Sequence, residues 1–232
     1  MKAIVIMSGG LDSVVLGYFM RAKGYDLEVL TADYGQAGAK ELDFARRAIA
    51  KLGAQEIHID LVRAGFGQFW HGLGLTEPQM DVPGSPFGRG MRPLTGVPNR
   101  NTVLLTVGFA AAAARGAGVV SLGVSKLDRI TPDCRPEFLE AMRRMQSIAL
   151  SEIAEVTLET PFIDLSKGEV VKVGNELGVP LEDTWSCWRG GEIQCGHCMP
   201  CKERQQAFRD AGLPDPTHYA VVAEETASPA QR

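Results

Sequence analysis

The sequence has no run of apolar residues near the ~18–20 needed to span a bilayer as a helix. Its opening, Met1-Lys2-Ala3-Ile4-Val5-Ile6-Met7, turns into Ser8-Gly9-Gly10 too early for the apolar core of a secretory signal. A cytoplasmic protein without membrane contact is therefore expected. Basic residues are not in excess: 24 Lys and Arg stand against 28 Asp and Glu, a formal net charge of −4. A general nucleic-acid coat needs a basic face, so direct nucleic-acid contact is not expected. Cysteine is scarce. The five residues are an odd number, which together with the missing signal argues against a secreted disulfide framework. No Gly-Lys-Ser/Thr string occurs, which excludes a Walker A loop, and no G-x-G-x-x-G, which excludes the dinucleotide fingerprint. No internal repeat is visible.

What remains is 232 residues, 45% hydrophobic and 22% charged. That balance excludes intrinsic disorder and suffices for one α/β domain with a small appended element. Ala3–Met7 reads as a buried parallel strand, and Asp12–Lys23 as a helix with Gly24 at its C-cap. Leu27–Ala32 is a second strand, Lys40–Leu52 a helix closed by Gly53, and Glu56–Asp60 a third strand. Further on, Asn99–Arg115 reads as a helix capped by Gly116, Val119–Gly123 as a strand, and Pro136–Ala149 as a helix with Pro at its first position. Val156–Glu159 reads as a strand. Ser166–Leu177 is a helix opened by a capping box, and a short helix lies near Lys202–Asp210. Alternating strands and helices imply right-handed crossovers and a doubly wound parallel sheet. The stretch from Leu61 to Pro98 holds eight Gly and five Pro. So long an irregular segment is either a working lid or binding loop, or a plain surface insertion. Residues 1–180 are expected to form the α/β domain, residues 181–219, which carry four of the five cysteines, a zinc-binding and helical segment packed on it, and 220–232 a frayed tail.

Ser8-Gly9-Gly10-Leu11-Asp12-Ser13 falls between the first strand and the first helix. Two glycines let backbone N–H groups approach a ligand, and the helix N-terminus adds unpaired donors. The result is an anion cradle, or else an ordinary Gly-containing turn. Asp12, at a helix start, is expected near the surface. Cys187, Cys195, Cys198 and Cys201 bring four thiolates into 15 residues. Tetrahedral zinc with a closed shell suits them, and an iron–sulfur cluster is the alternative. His197 lies inside the cluster but is not needed as a ligand.

The string S-G-G-x-D-S after a first strand resembles the pyrophosphatase loop of ATP-dependent adenylating enzymes. That resemblance implies a Rossmann-like fold of the adenine nucleotide alpha hydrolase type. ATP is then bound by Ser8, Gly9, Gly10, Leu11, Asp12 and Ser13 and cut between its α- and β-phosphates. Ser8, Ser13 and the loop N–H groups stabilise the departing pyrophosphate. Asp12 positions Mg²⁺, or is simply a first-turn carboxylate favoured by the helix dipole. The site lies at the carboxyl ends of the strands, so Asp33 and Tyr34, at the end of strand two, are candidates for the adenosine side.

Further motifs follow in order: Tyr34-Gly35-Gln36, Val97-Pro98-x-Arg100-Asn101, Pro132-Asp133-Cys134-Arg135, Lys167-x-Glu169 and Trp185-Ser186-Cys187 leading into the cysteine cluster. The combination is similar to the 7-cyano-7-deazaguanine synthase family, from about residue 2 to about residue 219. The resemblance implies a ligase that joins 7-carboxy-7-deazaguanine and ammonia in two ATP-driven steps, through an acyl-adenylate and an amide, to a nitrile that feeds queuosine synthesis. It further implies Mg²⁺, one structural Zn²⁺ and a homodimer. Arg100 and Asn101 are candidates to face the substrate carboxylate or adenylate, Arg for its bidentate fork. Lys167 either stabilises the adenylate phosphate or is an exposed lysine. Asp133, with Arg135 beside it, is a candidate to read the guanine-like edge of the base. Cys134 reads as buried packing rather than a nucleophile.

Three positions depart from the family pattern. Asn99 stands where many members have Gly, Thr131 where many have an aromatic, and Lys126 where some carry an acid. These positions are expected near the substrate. They leave open an amide-forming relative or one with another acid. A tRNA thiolase and a non-catalytic nucleotide-binding zinc protein are the other readings.

Overall fold

Ala3, Ile4 and Val5 are fully buried, as a strand covered on both faces requires. They belong to β1 (Lys2–Ile6), the centre of a five-stranded sheet in the computed structural model. The structure describes residues 1–37, 39–70, 76 and 97–220. The other strands are β2 (Asp26–Asp33), β3 (Gln55–Asp60), β4 (Val119–Leu122) and β5 (Thr157–Glu159), in the order β3-β2-β1-β4-β5. Every pairing is parallel, with Val5 between Val29 and Ser121.

The two-residue period of β1 splits the core. Ala3, Val5 and Met7 face α1 (Leu11–Ala22), α2 (Glu41–Leu52) and α6 (Lys167–Glu176). Ile4 and Ile6 face α4 (Arg100–Arg115) and α5 (Pro136–Ala149). A helical turn, α3 (Gly67–Trp70), lies between β3 and α4. The expected doubly wound sheet is thus present. The chain leaves β1 for β2 on one side and reaches β4 on the other, so a crevice opens at the carboxyl ends of β1 and β4. None of the described helices is long and apolar enough to cross a membrane.

The last helix, α7 (Met199–Ala211), begins three residues before the expected Lys202, because Cys198 is its N-cap and Pro200 fits its first turn. Ala207 and Phe208 of α7 share the core of α1 and α6, as does Leu181. The expected helix start at Asn99 moves to Arg100, since Asn99 is left-handed at φ 56°. Of the Leu61–Pro98 stretch, both described ends are tied together: Trp70 Nε1 donates to the Pro98 carbonyl at 3.1 Å. The rest of that stretch, and residues 221–232 of the expected tail, lie outside the described residues.

Candidate active site

The crevice holds a cavity of about 440 Å³. Its first wall is the loop after β1, contributed by Ser8, Gly10, Leu11, Asp12 and Ser13. The loop bonds to itself. Gly10 N donates to Ser8 Oγ (3.2 Å), Ser8 N to Ser13 Oγ (3.2 Å), and Ser13 Oγ to the Gly10 carbonyl (3.0 Å). A bound anion would exchange for these weak local contacts. Gly9 does not line the cavity. Its φ is +95°, and a Cβ there would lie 2.0 Å from the Glu41 carbonyl oxygen, so the loop presses on α2 where only glycine fits.

The second wall pairs Asp12 with Lys167. Lys167 Nζ donates to Asp12 Oδ2 at 3.0 Å, and Glu203 Oε2 lies 3.8 Å from the same nitrogen. The Ser166–Glu169 capping box forms as expected and sets Lys167 at the first position of α6. Lys167 is therefore no surface lysine, its side chain being 21% exposed. Burial pulls its pKa down, but Asp12, Asp128 and Glu203 outweigh this and hold it above the ordinary lysine value. Asp12 corrects the expectation of a near-surface group, its side chain being only 15% exposed. Burial raises its pKa, with Lys167 opposing. Its Oδ1 is buried with no hydrogen-bond partner.

The third wall comes from α4 and the turn before α5. Arg100 Nη1 donates to the Tyr34 hydroxyl at 3.2 Å, with its guanidinium 5.6 Å from the ring centre. Asn101 N donates to Asp133 Oδ2 at 3.0 Å, and its amide Nδ2 to the Asp133 carbonyl and the Cys134 sulfur. Asp133 thus satisfies a helix-start donor with one oxygen and lines the cavity. Burial pushes the Cys134 thiol up to about 12, so it stays protonated at neutral pH and packs rather than reacts.

Several expected residues lie elsewhere. Asp33 forms a local turn, accepting from Gly35 N at 2.9 Å, and does not line the cavity. Arg135 Nε donates to the Arg129 carbonyl at 3.1 Å and does not line it either. Of the three departures, Thr131 lines the cavity, whereas Asn99 and Lys126 are exposed outside it. Asn99 occupies its position for its backbone: φ 56° favours Gly and tolerates Asn. Residues missed from the sequence also reach the cavity. Glu203, Arg204 and Trp188 come from the cysteine segment, and Glu41 from α2. Arg204 is buried and donates to Thr184 Oγ1 and the Leu181 carbonyl, which pins the Leu181–Ser186 chain against α7.

The four clustered cysteines are all buried, their sulfurs within 4.8 Å of one another. Pairs lie at 3.4, 3.9 and 4.0 Å. A tetrahedral ion with ~2.3 Å metal–sulfur bonds sets its sulfurs about 3.8 Å apart. Backbone N–H groups of Arg189 and Cys195 donate to Cys187 Sγ, both at 3.4 Å, as thiolates require. The cluster can hold a metal ion. His197 bonds the Cys195 carbonyl and takes no part in it.

Comparison with known proteins now decides the family. The family model described as "Queuosine biosynthesis protein QueC" matches residues 2–212. The chain belongs to the QueC family. A 7-cyano-7-deazaguanine synthase of Rhizobium johnstonii is 44% identical over 94% of this chain and 92% of that protein. Those of a Ruegeria species and of Paracoccus denitrificans are each 43% identical, over 95% and 94% of this chain and 94% and 93% of theirs. Among solved structures, NMN synthetase from Francisella tularensis superposes with a TM-score of 0.50 at 14% identity. The match covers 92% of this chain and 78% of that one, a likeness of fold. In this QueC-family chain the Ser8–Ser13 loop forms one wall of the cavity, and Cys187 alone of the four clustered cysteines reaches it.

Proposed function

We propose that this chain is an ATP-dependent carbon–nitrogen ligase that converts 7-carboxy-7-deazaguanine and ammonia to 7-cyano-7-deazaguanine, a precursor in queuosine synthesis. One observation carries this reading. A single cavity in a QueC-family chain joins an anion-binding loop to Arg100 and to an acceptor, Asp133, suited to a guanine-like edge. Arg100 keeps N–H groups beyond the one given to Tyr34, and these orient the substrate carboxylate. A carboxylate oxygen attacks the α-phosphorus of ATP, and pyrophosphate leaves into the loop formed by Ser8, Gly10 and Ser13. Lys167 balances charge on the phosphate. Ammonia displaces AMP to give the amide, whose oxygen repeats the attack on a second ATP. Loss of the second AMP leaves the nitrile.

The partnerless buried Oδ1 of Asp12 suits a hard cation. Asp12 would hold Mg²⁺, which neutralises phosphate charge when bound. The four cysteine sulfurs are spaced for a single ion rather than a larger iron–sulfur cage, and we assign them Zn²⁺ in a structural role. The cytoplasm, a homodimer and the lack of direct nucleic-acid contact are proposed on the family resemblance and the charge balance.

The test incubates the protein with Mg²⁺-ATP, ammonium and a panel of heteroaromatic carboxylates, followed by mass spectrometry. The nitrile should form from 7-carboxy-7-deazaguanine. Pyrophosphate release with another acid, and none with this one, would overturn the assignment.

A further inference from the structure

Glu41 opens α2 and lines the cavity, yet the steps above give it no task. Its backbone is the surface against which Gly9 of the loop is pressed. Its Oε1 accepts from Gln36 Nε2 at 3.2 Å, and Gln36 is itself fixed by accepting from Tyr34 N at 2.9 Å. Among the described residues Oε2 has no partner and Glu41 forms no ion pair. Arg100, whose charge acts on it, is already bonded to Tyr34. An anionic oxygen without a partner, in a cavity wall between the phosphate loop and Arg100, suits a small cation bearing N–H donors.

We propose that Glu41 binds ammonium and is the proton acceptor for the nitrogen steps of the reaction. The proposal rests on the ligase reading given above. In the first half-reaction one N–H bond of ammonium breaks, its electron pair stays on nitrogen, and the proton passes to the Glu41 carboxylate. The ammonia so formed makes the C–N bond as the C–O bond to AMP breaks, and the surplus N–H proton leaves to water. In the second, adenylation of the amide oxygen leaves a cationic nitrogen with two N–H bonds. Glu41, having returned its first proton to water, takes one of these. The other leaves as the third C–N bond forms and AMP departs. Glu41 is only partly buried, so water reaches it between steps.

The electrostatics agree. Burial pushes the Glu41 carboxyl up to about 7, with the Arg100 charge and the Gln36 amide pulling the other way. A base of that strength takes and returns protons at neutral pH. The other charged groups facing this wall are held by partners of their own. Arg100 stays cationic, and burial raises the Tyr34 phenol. Asp12 of α1 is paired with Lys167, and Asp183, packed against the far end of α2, is paired with Arg47 and Lys51.

Glu41→Gln tests the proposal with three readouts on the whole protein. Acid-dependent exchange of labelled pyrophosphate into ATP reports adenylation. Nitrile formation from ammonium reports the complete reaction. Hydroxamate formation from hydroxylamine, which is uncharged at neutral pH, reports attack on the adenylate without prior loss of a proton. The expected result is a ~10²-fold loss of nitrile formation at pH 7, within the usual worth of a general base, with hydroxamate formation kept. The residual rate of the variant should climb about tenfold per pH unit with free ammonia, whereas the parent levels above about pH 7. An equal loss of hydroxamate and nitrile would overturn the proposal, as would an unchanged rate and pH profile. Loss of exchange in both Glu41→Gln and Glu41→Asp would give Glu41 a role in building the loop instead. Absence of exchange in the parent protein would contradict the ligase reading itself.

Discussion

Lys167 Nζ sits 3.0 Å from Asp12 Oδ2 and so bonds the first turn of α6 to the first turn of α1. The pair joins two helices distant in sequence at the mouth of the Ser8–Ser13 loop. Removing one partner from a buried pair strands the other at a cost of about 3–5 kcal/mol. Lys167→Ala should therefore lower the melting temperature, and turnover should fall by ~10² or more. Lys167→Arg should recover most of the stability and little of the activity. Thermal melts run alongside AMP release check this. Full activity in Lys167→Ala would remove the lysine from the site.

Asp12→Asn keeps the shape of the side chain and discards its charge. Turnover should drop by ~10²-fold and the dependence on Mg²⁺ should weaken, while the circular dichroism spectrum is retained. Unchanged turnover at every Mg²⁺ concentration would place the cation elsewhere.

Asn99 exposes a backbone requirement rather than a substrate contact. At φ 56°, Asn99→Gly should leave turnover and product identity unchanged and stability equal or slightly higher. Asn99→Val should cost about 1–2 kcal/mol, since a branched residue is strained there. A shift from nitrile to amide in Asn99→Gly would show that the side chain does act on the substrate.

The parallel sheet was legible because β1, β2 and β4 are short apolar runs set between amphipathic helices. The loop was legible because glycines, serines and an acid fall at fixed spacing. Its chemistry at Asp12 was not, since nothing local announces that Lys167, 155 residues on, is its partner. Asp33 ends a strand beside the cavity, and one of its carboxylate oxygens accepts from Gly35 N in the turn that follows, a local use its sequence position does not reveal. Glu41 was hidden because a first-turn glutamate looks like a helix-dipole partner. Only the fold shows it between the loop and Arg100. The cysteine spacing announced a site that could hold a metal ion, but not that the same segment brings Glu203 and Arg204 into the cavity.

That dual use of the cysteine segment makes a prediction of its own. Cys198 both offers a sulfur to the cluster and is the N-cap of α7. Metal analysis should give about one zinc per chain. Cys198→Ser should yield protease-sensitive protein that has lost activity together with metal. An iron–sulfur absorption band in anaerobically purified protein would contradict the zinc assignment.

In the proposed reaction two C–O bonds are broken at one carbon while a single nitrogen enters, and each C–O bond needs its own activation. The most direct measurement counts AMP against nitrile with 7-carboxy-7-deazaguanine, ammonium and Mg²⁺-ATP. Two AMP and two pyrophosphate should appear per nitrile, and the synthetic amide should be accepted with one of each. An amide that accumulates and never becomes nitrile, or the absence of AMP with this acid, would contradict the account.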